Sequence, residues 1–86
     1  MSDDELLEIE ERCNRATKGP WKSFIEGRDH ECGDSFISTG GEEIYISNAL
    51  FDNNQDFIAH TRQDIPRLIS EIRRLRAEIN KLQKLD

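Results

Sequence analysis

The chain has 86 residues, a net charge of −6 at pH 7 and a pI near 4.9, with apolar and charged residues at 35% each. A chain this short makes one domain and buries only a modest share of its surface, so a core shared between subunits is expected. The acidic balance argues against general duplex DNA binding, which needs several phosphate contacts from Lys and Arg.

Charge is uneven: residues 1–20 sum to −3, residues 21–52 to −5 and residues 53–86 to +2. Cys13 and Cys32 are too few for a disulfide framework and lack CxxC spacing. They read as free thiols of a reducing cytoplasm, with a single bridge as the alternative. The acidic N-terminus is not followed by an apolar signal-peptide core. No apolar run approaches the ~20 residues that span a bilayer, so a cytoplasmic protein without a membrane partner is expected.

Ser2-Asp3-Asp4-Glu5 forms an S-x-x-E capping box, and Leu6, Ile9, Cys13 and Ala16 follow at helical spacing. This predicts a helix from Ser2 to about Ala16, ended by Thr17-Lys18-Gly19-Pro20 with glycine as a left-handed cap. Short runs rich in β-branched and aromatic residues follow at 21–26, 35–39 and 42–47. Separated by the turn-rich 27–34 and by Gly40-Gly41, they predict a three-stranded antiparallel meander. After a connector at 48–54, Phe57, Ile58, Thr61 and Ile65 restore the helical period. Pro66 is expected to kink or restart this helix, with Asp64 as a new N-cap.

The last segment carries Ile65, Leu68, Ile72, Leu75, Ile79 and Leu82, with Ile at every a position of a heptad and Leu at every d. That choice favours a parallel two-stranded coiled coil, in which Glu71 at g faces Arg76 at e of the partner. Ile69, also at e, widens the stripe, so packing on the chain's own sheet is the alternative. The fold class expected is α+β in one domain, 1–86. An α+β body (1–64) precedes a coiled-coil helix (65–86) that drives homo-oligomerisation to a dimer or higher.

No catalytic constellation stands out. The loop Asp29-His30-Glu31-Cys32-Gly33-Asp34 holds an acid, an imidazole and a thiol, but without structural zinc spacing. A solvated turn is the plainer reading, and a metal or hydrolase site the sharper one. His60 has no nucleophile placed beside it, and Gly40-Gly41 alone is no phosphate cradle. The expectation is a non-enzymatic protein without metal or cofactor. Binding chemistry is easier to place. Trp21, the only Trp, sits between Lys18 and Lys22 and could stack a base beside a cation, or could simply anchor the core. Arg62 and Arg67 flank Pro66, and Asn54 sits at the predicted helix start, where free N–H groups favour anions.

Two stretches carry a resemblance. Ala16-Thr17-Lys18-Gly19-Pro20-Trp21 resembles the ATxGPW turn of many small bacteriophage and prophage proteins. Asp56-Phe57-Ile58-Ala59-His60-Thr61-Arg62-Gln63-Asp64-Ile65-Pro66-Arg67-Leu68-Ile69 resembles the (N/D)xxFIAxARxDxPxLL segment that closes the same proteins before a coiled-coil tail. Lys18 stands where Pro is common, and His60-Thr61 replaces the usual small pair. One branch of similar architecture is the phage anti-defence sponge, which sequesters nucleotide immune signals of the Thoeris or CBASS type. The resemblance implies a homo-oligomer in the cytoplasm of a bacterial host, holding a cyclic nucleotide or ADP-ribose-type ligand without catalysis. Trp21, Lys22, Arg28, Asn54 and Arg62 are the candidate ligand-binding residues. The alternative is an oligomeric acidic interaction module that docks on and inhibits a host protein.

Overall fold

The computed structural model describes residues 1–31, 33–46 and 52–84. The elements run α1 (Asp3–Arg15), β1 (Lys22–Phe24), β2 (Phe36–Ser38), β3 (Glu43–Tyr45) and α2 (Asp52–Gln83). The helix–sheet–helix order is as expected, with shorter strands. Cys32 and the junction at Ser47–Phe51, within the predicted third strand and connector, lie outside the described residues.

The capping box forms in full. The Ser2 hydroxyl accepts from the Glu5 backbone N–H at 3.1 Å, and the Glu5 carboxylate accepts from the Ser2 backbone N–H at 3.3 Å. The helix stops differently from expectation. Ala16 is extended, at φ −73° and ψ 155°, and Gly19 has no positive φ. The turn is instead pressed onto α2, with Gly19 close against Gln63 and Arg62.

The sheet is an antiparallel meander in the order β1-β2-β3, with Ser23 opposite Ile37 and Ile37 opposite Ile44. Side chains alternate across a strand, so these three share the face toward α2, where Ile37 is fully buried. The other face carries Phe24, Phe36 and Tyr45. Phe24 and Phe36 stack with ring centroids 5.1 Å apart, and Tyr45 tilts against Phe36 at 6.0 Å.

The predicted break at Pro66 does not occur: α2 is one helix of 32 residues with Pro66 inside it, and Asp64 caps nothing. Proline removes one backbone donor and disfavours a helix interior. Contacts on both sides of it hold the helix: Arg62 and Gln63 bind the 17–21 turn, while Ile69 and Arg73 meet the layer containing α1.

The stripe of α2 that docks on the body is not the Ile/Leu ladder. It runs through Gln55, Ala59, Arg62, Pro66, Ile69, Arg73 and Arg76, at alternating spacings of four and three. Gln55, Ala59 and Ile69 are buried there. Arg73 grips Glu10 with two bonds of 2.5 and 3.1 Å, and Arg76 reaches Asp3 at 2.7 Å and the Met1 carbonyl. These contacts hold α1 antiparallel to α2 over Leu6, itself buried. The ladder lies on the neighbouring face: Ile65 and Ile72 are half-buried, while Leu68, Leu75, Ile79 and Leu82 are 56%, 46%, 54% and 67% exposed. Arg76 already has partners within its own chain, and Glu71 is held by Arg74 at 2.6 Å. The expected Glu71–Arg76 pair between chains is therefore not free to form as predicted.

Candidate ligand-binding groove

The two stretches that carry the phage resemblance meet in space. Gln63 clasps Trp21 at two points, its Oε1 accepting from the Trp21 N–H at 2.8 Å and its Nε2 donating to the Trp21 carbonyl at 3.0 Å. The Thr17 carbonyl accepts from the Trp21 indole at 3.0 Å and from Arg62 Nε at 2.9 Å. Gly19 permits this approach, since a Cβ there would stand 3.3 Å from Gln63 Oε1 and 3.4 Å from Arg62 Cγ. Motif residues thus lock the turn to the helix, and this is a role in the fold whatever the groove binds.

Trp21 stands between two grooves. The first, of about 300 Å³, is lined by Trp21, Phe57, Ile58 and Ile65 with Cys13, Ala16 and Thr61 between them. Its charged groups are Arg12 and Arg62, and no carboxylate contributes to it among the described residues. Phe57 is 73% exposed at this surface. The lining is almost wholly apolar, Arg12 and Arg62 meeting it through their carbon stems, so in a chain of charge −6 it is a wall without negative charge. Such a surface suits the flat apolar face of a planar group, through stacking on the rings.

The second groove, of about 350 Å³, is polar and is lined by Trp21, Lys22, Ser23, Arg28, Asp29, Asp56 and His60. A connected network forms part of its wall. Arg28 donates to Asp29 Oδ2 from Nε at 3.0 Å and from NH2 at 2.8 Å, and to both oxygens of Asp56 at 2.8 and 3.0 Å. Four of the five guanidinium N–H groups are thereby directed at carboxylates. Asp29 also accepts from the Ile25 N–H at 2.9 Å, which fixes the turn after β1. Asp56, bonded by Arg28 and by the Ser23 hydroxyl, titrates at about 2. Asp29 is held below the usual carboxylate range by Arg28 and the Ile25 amide, and these partners hold Arg28 protonated. Behind this network Gln55, 2% exposed, donates to Ser23 Oγ at 2.8 Å and to the Phe36 and Phe24 carbonyls at 3.0 and 3.2 Å.

The structure therefore divides the candidate residues. Trp21, Lys22 and Arg28 share the polar groove, with Lys22 also 5.0 Å above the Phe24 ring. Trp21 and Arg62 share the apolar groove, and exposed Asn54 lines neither. Sequence reading missed Arg12, Phe57 and Ile58 as groove residues. Ile58 was legible as one heptad before Ile65, but Arg12 enters only through the packing of α1. Among the described residues no cluster of His, Cys, Asp and Glu is placed to hold a metal, and no helix is long and apolar enough to cross a membrane. His30, from the proposed metal loop, packs against Phe36 at 5.5 Å.

No protein-family model, curated protein or solved structure matches this chain. The fold is that of an α+β protein with a three-stranded sheet docked on one long helix, carrying an arginine-lined aromatic groove at the α1–α2 junction.

Proposed function

We propose that this protein is a non-catalytic, self-associating binder whose apolar groove holds a nucleotide-type ligand, in the manner of the phage sponges its motifs resemble. One observation carries the reading: Trp21 and Phe57 share a groove with Arg12 and Arg62 and with no carboxylate among the described residues. The rings offer faces for a base, and Arg12 and Arg62 bring positive charge to its surroundings. The polar groove is less suited to an anion, because Asp29 and Asp56 already engage Arg28. Self-association has separate support in the exposed Ile/Leu ladder.

The test uses Trp21 as an intrinsic probe. Cyclic nucleotides and ADP-ribose derivatives are titrated while Trp21 emission and calorimetric heat are followed. Binding to wild type and its loss in Phe57→Ala and Arg12→Gln, both surface changes, is the expected result. Absence of heat across the panel with wild-type folding intact would refute the ligand reading.

A second reading is favoured by the ladder itself: the exposed apolar face and acidic surface dock on a host protein. Capture of one host protein by wild type and its loss in Leu75→Asp, with nucleotide titrations silent, would select it.

A further inference from the structure

We infer that the open face of α2 is covered by the same face of a second copy, parallel and in register from Leu68 to Leu82, past the groove that Ile58, Thr61 and Ile65 line. The inference deepens the self-association reading above, on which it rests. Three observations carry it beyond the bare Ile/Leu repeat.

First, the ladder runs on without a break from the groove-lining part of α2. Counting back one heptad places Ile58 at a and Thr61 at d, and α2 is continuous through Pro66. Ile58, Thr61 and Ile65 line the apolar groove, so the pairing strip begins past it at Leu68 and leaves the groove open.

Second, α1 leaves room for a second copy. At 100° per residue, the stripe gripping the body and the a/d stripe are centred roughly 100° apart around α2. Two neighbours each ~10 Å from the α2 axis then stand ~15 Å from one another. The intramolecular helix and the incoming helix do not compete for space.

Third, the flanks of the face differ in charge. The g positions are Phe57, Asp64, Glu71 and Glu78, and the e positions are Arg62, Ile69, Arg76 and Gln83. A parallel pair sets g against e of the partner, so no acid faces an acid. An antiparallel pair sets g against g and brings Glu71 and Glu78 of the two chains together. Because Glu71 and Arg76 already have partners of their own, avoidance of that repulsion sets the orientation more than new salt bridges do. Parallel pairing also puts the two apolar grooves at one end of the dimer. Antiparallel pairing would separate them by ~40 Å along the helix.

The test combines mass with cross-linking. Leu82→Cys is made in a Cys13→Ser, Cys32→Ser background, at a position exposed enough to spare the fold. Sedimentation equilibrium is expected to give twice the 10.0 kDa chain mass, and mild oxidation an 82–82 disulfide in most molecules. A single-chain mass at all concentrations overturns self-association and the inference together. A trimer or tetramer, or a dimer in which the thiol introduced at position 82 couples only to a Leu68→Cys partner, overturns the parallel pair alone. An independent arm pairs Glu78→Lys with Gln83→Glu, which face each other only in the parallel register. The double change adds two exposed ion pairs per dimer and is expected to bind about three- to fivefold more tightly than Glu78→Lys at low salt, and no difference counts against the register.

Discussion

Gln55 tests most directly what joins α2 to the sheet. Its amide nitrogen has two hydrogens and three acceptors within 3.2 Å, on Ser23, Phe24 and Phe36, so at least one bond is shared. In Gln55→Ala the two backbone carbonyls lose this donor at a buried site. Each group left unsatisfied costs about 1–3 kcal/mol, and the vacated volume adds to that. A total near 3 kcal/mol is a large part of a small domain's stability and corresponds to a fall in Tm of about 10–20 °C. The assay is urea and thermal unfolding by far-UV circular dichroism at fixed protein concentration, since the proposed self-association would raise apparent stability. Gln55→Glu adds a signature that lost packing alone cannot produce. Its carboxylate would face carbonyl oxygens beside Asp56, which raises its folded pKa above the unfolded value of about 4.3. A raised folded pKa means that the neutral form is favoured: stability is fully present below the unfolded pKa and is lost as pH rises through the folded one. The Glu variant should therefore gain stability relative to wild type between pH 7 and about 5. A Glu variant within 0.5 kcal/mol of wild type at pH 7, with no pH slope, would refute the clasp (about the spread of ordinary surface substitutions).

Asp56, titrating at about 2 against an ordinary 3.8, contributes stability above pH 4 that is lost as pH falls toward 2. With its side chain 28% exposed beside a half-exposed Arg28, screening leaves about 1 kcal/mol; acid titration of Asp56→Asn should show a weaker loss across that window, and an unchanged curve would contradict the pairing. Gly19→Ala pushes a methyl to 3.3 Å from Gln63 Oε1, which is already fixed on the Trp21 N–H. A loss of about 1 kcal/mol with a shifted Trp21 emission is expected, and a neutral result would mean the turn can retreat from α2. Ile69→Ala and Leu82→Ala should separate folding from assembly. Buried Ile69 should cost about 2–5 kcal/mol in unfolding, whereas Leu82 should lower the associated mass at unchanged monomer stability. Equal effects of the two on unfolding would show that the two stripes are not distinct.

The readable parts of this chain are those where local chemistry leaves one solution. The capping box, the β-branched runs and Gly40 (φ +85°) at the β2–β3 turn state α1 and the meander without help from distant residues. The Ile/Leu ladder was equally plain as a helix face. Its neighbour was not: Gln55, Arg62, Pro66, Arg73 and Arg76 are polar or helix-breaking, and nothing in their hydropathy marks a docking surface. They dock because each meets a specific partner: Gln55 meets sheet carbonyls, Arg62 meets Thr17, and Arg73 and Arg76 meet the acids of α1. The same contacts carry the helix through Pro66, where local rules foresee a break.

The candidate site divides along the same line. Trp21 and Arg62 were legible as an aromatic and a cation near turns, but Arg12 and Phe57 join them only where α1 crosses α2. Arg28 shows the converse, a cation by sequence that tertiary contact surrounds with Asp29 and Asp56. By itself, then, the sequence determined which segments are helix or strand and that one helix face repeats every seven residues, because periodicity and capping are local. Only the tertiary structure decided which stripe of that helix faces inward and which cations stay clear of carboxylates. Those outcomes depend on pairs of residues far apart in the chain, whose meeting no local pattern encodes.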